Sequence, residues 1–271
     1  MVKVASGIMD EMQDRTERTM TFLEVCAGWG ETSYWVKSHG GAAQEFDAQT
    51  RHEDENLNTF VGILLLFHYI DRIIPRGTCL MTPECSKWTF FSCSTMGRHL
   101  TVHGFQFRQD VIDANAQNQV LSAAMVRCYM RDVYVLFEQP EDSCYYGYPA
   151  MEEAVVFTGA RTVRTCLEPF GHAMLKGTTL KTTMPTWVDE HLARERPKKR
   201  VLAQDKEGYD KFYTKSMKKD KSGSWVSGGK GLSSSEHFPT RFCQAIATVV
   251  VQLAQLEEKE AEEVIEVVPV D

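Results

Sequence analysis

The sequence lacks the features that mark a secreted or membrane-spanning chain. Its eight cysteines are scattered with no Cys-x-x-Cys pair, which favours free thiols in a reducing compartment over a disulfide scaffold. The apolar stretch at 62–67 has six residues, whereas a helix that spans a bilayer needs about 20. Residues 1–20 are polar and charged and have no apolar core of the kind found in secretion signals. We therefore expect an intracellular protein without a membrane segment.

The chain also lacks an overall positive charge and a recognised metal-binding pattern. Its formal net charge of −7 and pI near 5.7 argue against a general binder of polyanions. Five cysteines and histidines between 79 and 103 are potential zinc ligands, but their intervals fit no common structural zinc site. The sequence therefore predicts no metal.

The most informative segment is a glycine turn that follows a short apolar strand. Residues 22–25 lead into Gly28 and Gly30, a helix-like segment follows at 31–39, and a second strand ends before Asp47. Such a turn lets backbone N–H groups approach a ligand, and an acid after the next strand can bind ribose hydroxyls. The pattern therefore suits an adenosine cofactor, although similar turns also occur in α/β sheets that bind nothing there.

The same turn discriminates among adenosine cofactors. It has neither the third glycine of a dinucleotide fingerprint nor the Lys-Ser/Thr pair of a phosphate loop. With no pyrophosphate to bind, S-adenosylmethionine (SAM) is a better candidate than NAD or ATP.

Short apolar strands alternate with helices through the first two thirds of the chain. Strands are predicted at 21–25, 42–46, 78–82 and 133–137, helices at 31–39, 59–73, 110–130 and 152–156, and either element at 160–167. This alternation predicts an α/β fold, a mostly parallel sheet with helices on both faces. Three strand ends carry polar groups, at 28–30, 83–86 and 138–140, and should meet at one edge of the sheet.

Composition divides the chain into five predicted segments. They are a lead-in at 1–19, the α/β core at 20–190, a flexible basic loop at 191–235, a helix at 236–256 that returns to the core, and an acidic tail at 257–271. The segment from 194 to 230 contains twelve Lys and Arg residues and five Asp and Glu residues. We expect this loop to contact nucleic acid through Lys198, Lys199, Arg200, Lys218 and Lys219. The alternative is a solvated linker that binds nothing. The run at 196–200 also resembles a nuclear-import signal, which adds a nuclear location to the expectations.

The order of these motifs resembles that of the SAM-dependent methyltransferases. The matching segments lie at 24–30, 47, 82–85, 137–140 and 238–247. More narrowly, the chain is similar to the cytosine-5 DNA methyltransferases and to divergent proteins related to them, including retroelement-associated versions in protists. The resemblance covers roughly 21–185 and 236–250. It implies a Rossmann-like class I methyltransferase fold, SAM as the cofactor and DNA as the acceptor.

The resemblance also implies roles for individual residues. Glu138 would hold the target base at N3, and Cys85 would be the nucleophile that adds to cytosine C6. The cofactor-binding residues would be Glu24, Cys26, Gly28, Gly30, Asp47 and Pro83. The aromatic residues at 88, 90 and 91 could stack a flipped base or belong to the core.

The chain departs from the family pattern in several places. Glu84 separates the proline from the cysteine, whereas the family's cysteine directly follows proline, and a neighbouring carboxylate disfavours a thiolate. Gln139 stands where the family has asparagine, and Arg161 and Arg164 only approximate its Gln-x-Arg-x-Arg strand. The basic loop takes the place of a large recognition domain. A catalytically inactive protein that binds SAM or nucleic acid is therefore the alternative, and a protein or small-molecule acceptor also stays open.

Overall fold

The computed structural model describes residues 18–172, 176–195, 217–219, 225–227 and 238–266. Strands and helices alternate in it much as the apolar pattern predicts. The first half contains β1 (Met20–Val25), α1 (Glu31–Ser38), β2 (Ala43–Phe46), α2 (Phe60–Asp71), β3 (Ile73–Met81), α3 (Phe90–Met96), α4 (Gln109–Met130) and β4 (Tyr134–Pro140). The second half contains α5 (Pro149–Thr158), β5 (Arg161–Cys166), β6 (Gly177–Thr182), α6 (Asp189–Leu192), β7 (Met217–Lys219), β8 (Trp225–Ser227) and α7 (Thr240–Glu266).

Six of these strands form one mixed sheet in the order β2-β1-β3-β4-β6-β5. β1 pairs in parallel with β2 and β3, and β3 pairs in parallel with β4. Only β6 runs against its neighbours, because it pairs antiparallel with both β4 and β5. The prediction of an α/β fold with a mostly parallel sheet is confirmed. The chain passes from β1 to β2 on one side and returns to β3 on the other, so the strand order reverses between β1 and β3.

Helices cover both faces of this sheet because successive strand residues point to opposite sides. On β1, Leu23 and Val25 belong to one buried core, and Phe22 belongs to the other. The first core includes Leu66 of α2, Leu121 of α4 and Met151 of α5. The second includes Val36 of α1, together with Phe242 and Ile246 of α7. The predicted arrangement with helices on both faces is therefore confirmed.

The helix predicted to return to the core is present and longer than expected. Its buried residues recur at helical spacing and include Phe242, Ile246, Val249, Val250 and Leu253. They pack on the second core, so this late segment closes a sheet face that begins with β1. The helix continues to Glu266, ten residues past the predicted end at 256.

One segment was open in the sequence-based expectation, and several elements were absent from it. The segment at 160–167, compatible with either element, forms strand β5, which pairs with β6 and alternates between exposed and buried side chains at Thr162, Val163 and Arg164. The short helices α3 and α6 and the strands β6, β7 and β8 were not predicted. β6 has one large apolar residue, Leu180, among threonines, and it becomes a strand because it fills the gap between β4 and β5.

Several predicted segments fall largely outside the described residues. Lys198, Lys199 and Arg200 lie outside them, and Lys218 and Lys219 lie in β7, which pairs antiparallel with β8. Their predicted contacts with nucleic acid therefore stay predictions. Among the described residues, no helix is long and apolar enough to cross a bilayer.

Candidate active site

A cleft of about 320 Å³ opens at the carboxyl ends of β1, β3 and β4. In open α/β sheets, ligands bind outside these strand ends at the point where the strand order reverses, which here lies between β1 and β3. The lining comes from the glycine turn, from residues 82–86 after β3, and from Glu138 on β4. Phe238, just before α7, and Cys243, in its first turn, complete it. The three polar strand ends therefore meet, as the sequence predicts.

The glycine turn is held rigidly and leaves one side open. Gly28 and Gly30 have φ values of +52° and +65°, a region that favours glycine. The Gly28 N–H donates to Asp47 Oδ2 at 3.0 Å, and Thr50 Oγ1 donates to the Gly28 carbonyl at 2.5 Å. A Cβ on Gly30 would lie 3.0 Å from Glu45 Cγ, whereas a Cβ on Gly28 would meet nothing within 4 Å. Gly28 therefore faces the open space of the cleft.

Both carboxylate oxygens of Asp47 accept hydrogen bonds from backbone N–H groups of the protein. While Oδ2 accepts from Gly28, Oδ1 accepts from the N–H groups of Gln49 at 2.8 Å and Thr50 at 2.9 Å. Asp47 joins the loop after β2 to the glycine turn, and neither it nor Gly30 is among the residues that line the cleft. Its predicted contact with a ribose stays a prediction.

Glu24 anchors the start of α1 from the floor of the cleft. It is 3% exposed, and its Oε2 accepts from the Ser33 N–H at 2.8 Å and from Ser33 Oγ at 2.7 Å. Burial raises the pKa of Glu24, and the hydrogen bonds from Ser33 oppose that rise. A carboxylate at this end of a helix also interacts favourably with the helix dipole. Glu24 thus ties β1 to α1 directly beneath the turn.

Glu138 lies at the carboxyl end of β4, buried next to β6. It is 5% exposed, and its Oε1 accepts from Thr178 Oγ1 at 3.3 Å. Burial raises the pKa of Glu138, while the charge of Lys176 and the Thr178 hydrogen bond oppose the rise. A carboxyl group kept neutral by burial can donate a hydrogen bond or a proton to a bound ring nitrogen. The antiparallel strand β6 therefore matters to the site, because it carries Thr178.

Cys85 lies half-buried on the cleft in the loop that follows β3. Its carbonyl oxygen accepts from the N–H groups of Trp88 at 2.9 Å and Thr89 at 3.2 Å. Gln139 Nε2 donates to the Pro83 carbonyl at 2.8 Å, which ties this loop to the end of β4. Gln139, which departs from the family's asparagine, therefore has a structural role in positioning the loop that carries Cys85.

Trp88 belongs to the core rather than to the cleft. It is 1% exposed, its ring lies 4.8 Å from that of Tyr145 and 5.6 Å from that of Tyr148, and the Arg98 guanidinium lies 3.4 Å from its centroid. Of the two interpretations of Trp88, the core one is confirmed. The side chains at 90 and 91 are outside the described part of the structure.

Of the three thiols that line the cleft, two are protonated at neutral pH. Burial raises the pKa of Cys26 to about 12, and the nearby charges of Asp47 and Glu84 raise it further. Burial also raises the pKa of Cys243 to about 12. Since the thiolate is the nucleophile, these two cysteines serve as lining residues. Cys85 is the remaining candidate among them.

The charged residues that line the cleft are mostly acidic. Four are glutamates, at 24, 31, 84 and 138, and one is Lys176. Glu31 and Glu84, the two of these glutamates that are not buried, disfavour phosphate groups and favour a cation. Sequence reasoning did not name Glu31, Lys176 or Cys243 as site residues. Glu31 directly follows the predicted glycine turn and Cys243 lies in the matched segment 238–247, so these two could have been found, whereas nothing in the local sequence of Lys176 indicates that it reaches this edge of the sheet.

The arginines of β5 lie away from this cleft. Arg161 binds the Asp189 carboxylate and the Pro185 carbonyl, the latter at 3.0 Å, which makes it a structural residue. Arg164 lines a separate groove of about 270 Å³ together with Arg194. Among the described residues, no group of three or more His, Cys, Asp or Glu side chains is arranged to hold a metal ion.

No protein-family model matches this sequence, and no curated protein is significantly similar to it.

Proposed function

We propose that this protein is a methyltransferase that binds SAM between β1 and β3 and methylates a DNA base held against Glu138 and Cys85. One observation carries the proposal: six of the eight residues that the methyltransferase resemblance marks as catalytic or cofactor-binding line a single cleft. They are Glu24, Cys26, Gly28, Pro83, Cys85 and Glu138. These residues come from three strand ends that are far apart in the chain, so their convergence depends on the fold and not on local sequence.

The charge and shape of the cleft favour SAM over other adenosine cofactors. SAM carries a sulfonium, an ammonium and a carboxylate but no phosphate, and its net positive charge suits Glu31 and Glu84, the two glutamates of the described lining that are not buried. NAD and ATP would bring phosphates to a cleft with no arginine among those lining residues that the structure describes. The open side of Gly28 gives room for close approach of a ligand to the backbone. Bound there, SAM supplies an electrophilic methyl group.

The chain's own residues would activate the acceptor. Glu138, whose pKa is raised by burial, donates a hydrogen bond or its proton to N3 of a cytosine ring. The Cys85 thiolate would form a bond to C6 as the C5=C6 π bond opens, and the proton from Glu138 offsets the negative charge that this attack places on the ring. After C5 has accepted the methyl group, loss of the C5 proton to solvent would re-form the double bond and release Cys85 as the thiolate. A base in duplex DNA would have to leave the stack to reach this cleft, at a cost of a few kcal/mol.

Calorimetric titration with S-adenosylhomocysteine tests the cofactor site. We expect micromolar binding to the parent protein and a loss of about tenfold or more, about 1.4 kcal/mol, in Gly28→Asn. Asparagine tolerates a positive φ, so the variant adds bulk on the open side with limited strain. Gly159→Asn is the matched control, because Gly159 has φ +65°, no atom within 4 Å of a Cβ, and a position outside the cleft. Absent binding by the parent, or equal binding by both variants, would contradict the proposal.

A protein that binds SAM without transferring its methyl group is the second candidate, and Glu84 favours it. Glu84 is exposed at the cleft, directly between Pro83 and Cys85. A carboxylate beside a cysteine disfavours the thiolate that the chemistry requires. The two candidates share the cofactor site and differ in whether Cys85 reacts.

A further inference from the structure

Trp29 is the most exposed aromatic residue on the cleft. Its side chain is 80% exposed, although it lines the cleft at the tip of the glycine turn. Trp88, by contrast, is 1% exposed in the core. Each Å² of apolar surface removed from water contributes about 25 cal/mol of favourable free energy. A planar group that covers the exposed indole therefore binds with a favourable contribution from this burial.

The backbone of the turn fixes where Trp29 projects. Its two neighbours, Gly28 and Gly30, both have positive φ values, and the Gly30 N–H closes the turn by donating to the Ala27 carbonyl at 2.9 Å. The Gly28 N–H donates a hydrogen bond to the Asp47 carboxylate. The backbone that bears the indole is therefore held by hydrogen bonds at the cleft. Less backbone conformational entropy is lost when a ligand covers the indole than would be lost in a flexible loop.

A second aromatic side chain contributes to the same cleft from another element. Phe238 lines it, and the Phe238 ring packs on Phe242 with centroids 5.2 Å apart. Phe242 packs in turn on Phe170 at 5.0 Å. Aromatic side chains bind nucleobases by stacking, at about 1–3 kcal/mol per base.

The charges near Trp29 indicate which part of a nucleic acid it contacts. Glu31 and Glu84 line the same cleft and repel phosphates. A neutral base face is not repelled in this way, and it matches the flat, apolar indole. We propose that Trp29 is the platform on which the acceptor nucleobase stacks as it enters the cleft. The identity of the acceptor rests on the proposed methyltransferase function.

Binding of a fluorescein-labelled single-stranded deoxycytidine oligomer of about 12 nucleotides, followed by anisotropy with S-adenosylhomocysteine present, tests this platform. We expect Trp29→Ala to weaken binding by about tenfold and Trp29→Phe to weaken it less, because a ring remains. The loss should be similar at about 50 mM and about 250 mM salt, since stacking releases no counterions. Phe107→Ala is the control and should have no effect, because Phe107 is 82% exposed but does not line the cleft.

Titration of the same variants with S-adenosylhomocysteine separates the two proposals. Intact cofactor binding by Trp29→Ala, together with weakened oligomer binding, supports the platform. Weakened cofactor binding with unchanged oligomer binding would mean that the indole stacks on the cofactor, and the inference would be wrong. It would also be wrong if the parent bound no oligomer or if Phe107→Ala had an equal effect. A parent that bound no cofactor, but lost oligomer binding through Trp29→Ala, would refute the methyltransferase proposal and leave the platform standing.

Discussion

Replacing Glu138 with glutamine should make the protein more stable, and the gain should grow as the pH rises. Burial raises the pKa of Glu138 above its ordinary value of 4.5, so the unfolded chain gives up this proton more readily than the folded one. Folding stability contributed by this group is present below pH 4.5 and falls as the pH rises towards the folded-state pKa. Glutamine has nearly the same shape and no charge, so it avoids this loss.

The structure allows an estimate of the gain. Glu138 is 5% exposed and accepts a hydrogen bond of 3.3 Å from Thr178, while the charge of Lys176 gives partial compensation. An incompletely compensated buried polar group costs about 1–3 kcal/mol. We therefore expect Glu138→Gln to gain about 2 kcal/mol at neutral pH, or roughly 4–8 °C in Tm for a chain of this size.

Urea unfolding of both proteins, repeated at several values between about pH 4 and about pH 8, measures this difference. The other acids titrate in both proteins, so subtracting the two free energies of unfolding isolates the contribution of Glu138. We expect a difference near zero at the acidic end and a plateau at the alkaline end. A variant that is less stable than the parent at pH 8, or a difference that does not change with pH, would refute the conclusion that burial raises the pKa of Glu138.

Two further predictions concern the site and the fold. Cys85→Ser should abolish transfer of a labelled methyl group from SAM to DNA while S-adenosylhomocysteine still binds. Unchanged transfer by this variant would exclude Cys85 as the nucleophile. A parent protein that binds S-adenosylhomocysteine but never transfers a methyl group would favour the second candidate function. Asp71→Asn should lower the free energy of unfolding by about 3–5 kcal/mol, because it leaves Arg127 without its buried two-bond partner, both bonds being 2.9 Å. Asp110→Asn, which removes an exposed ion pair, is the control, and an equal loss there would count against the role of burial.

Elements with a strong apolar pattern could be predicted from the sequence. β1 and α1 were predicted because the apolar run at 22–25 stops at a glycine turn and the next segment suits a helix. β6 could not be predicted, since five of its six residues are not strongly apolar and its stability comes from pairing with β4 and β5. Pairing of that kind joins distant segments and leaves no local signal.

The same limit applies to the site. Cys85 and Glu138 were predicted to lie close together because each lies at or after a strand end, and strand ends of a parallel sheet share an edge, whereas Glu24 was implied by the methyltransferase resemblance. The bonds that Asp47 makes to backbone N–H groups could not be predicted, because they depend on how two loops approach each other. Lys176 joins the cleft only through the course of the chain into β6.

The position of α7 has a consequence for how the protein forms during translation. α7 covers the sheet face that carries Phe22, Leu80 and Leu136, and the residues at its start complete the cleft. At about 5–20 residues per second, a ribosome needs roughly 8–32 s to proceed from β3 to the start of α7. During that interval α7 does not yet cover this face of the nascent sheet, and the cleft does not yet have the lining residues Phe238 and Cys243. The apolar residues of this sheet face therefore gain their last cover, and the cleft gains Phe238 and Cys243, only late in synthesis.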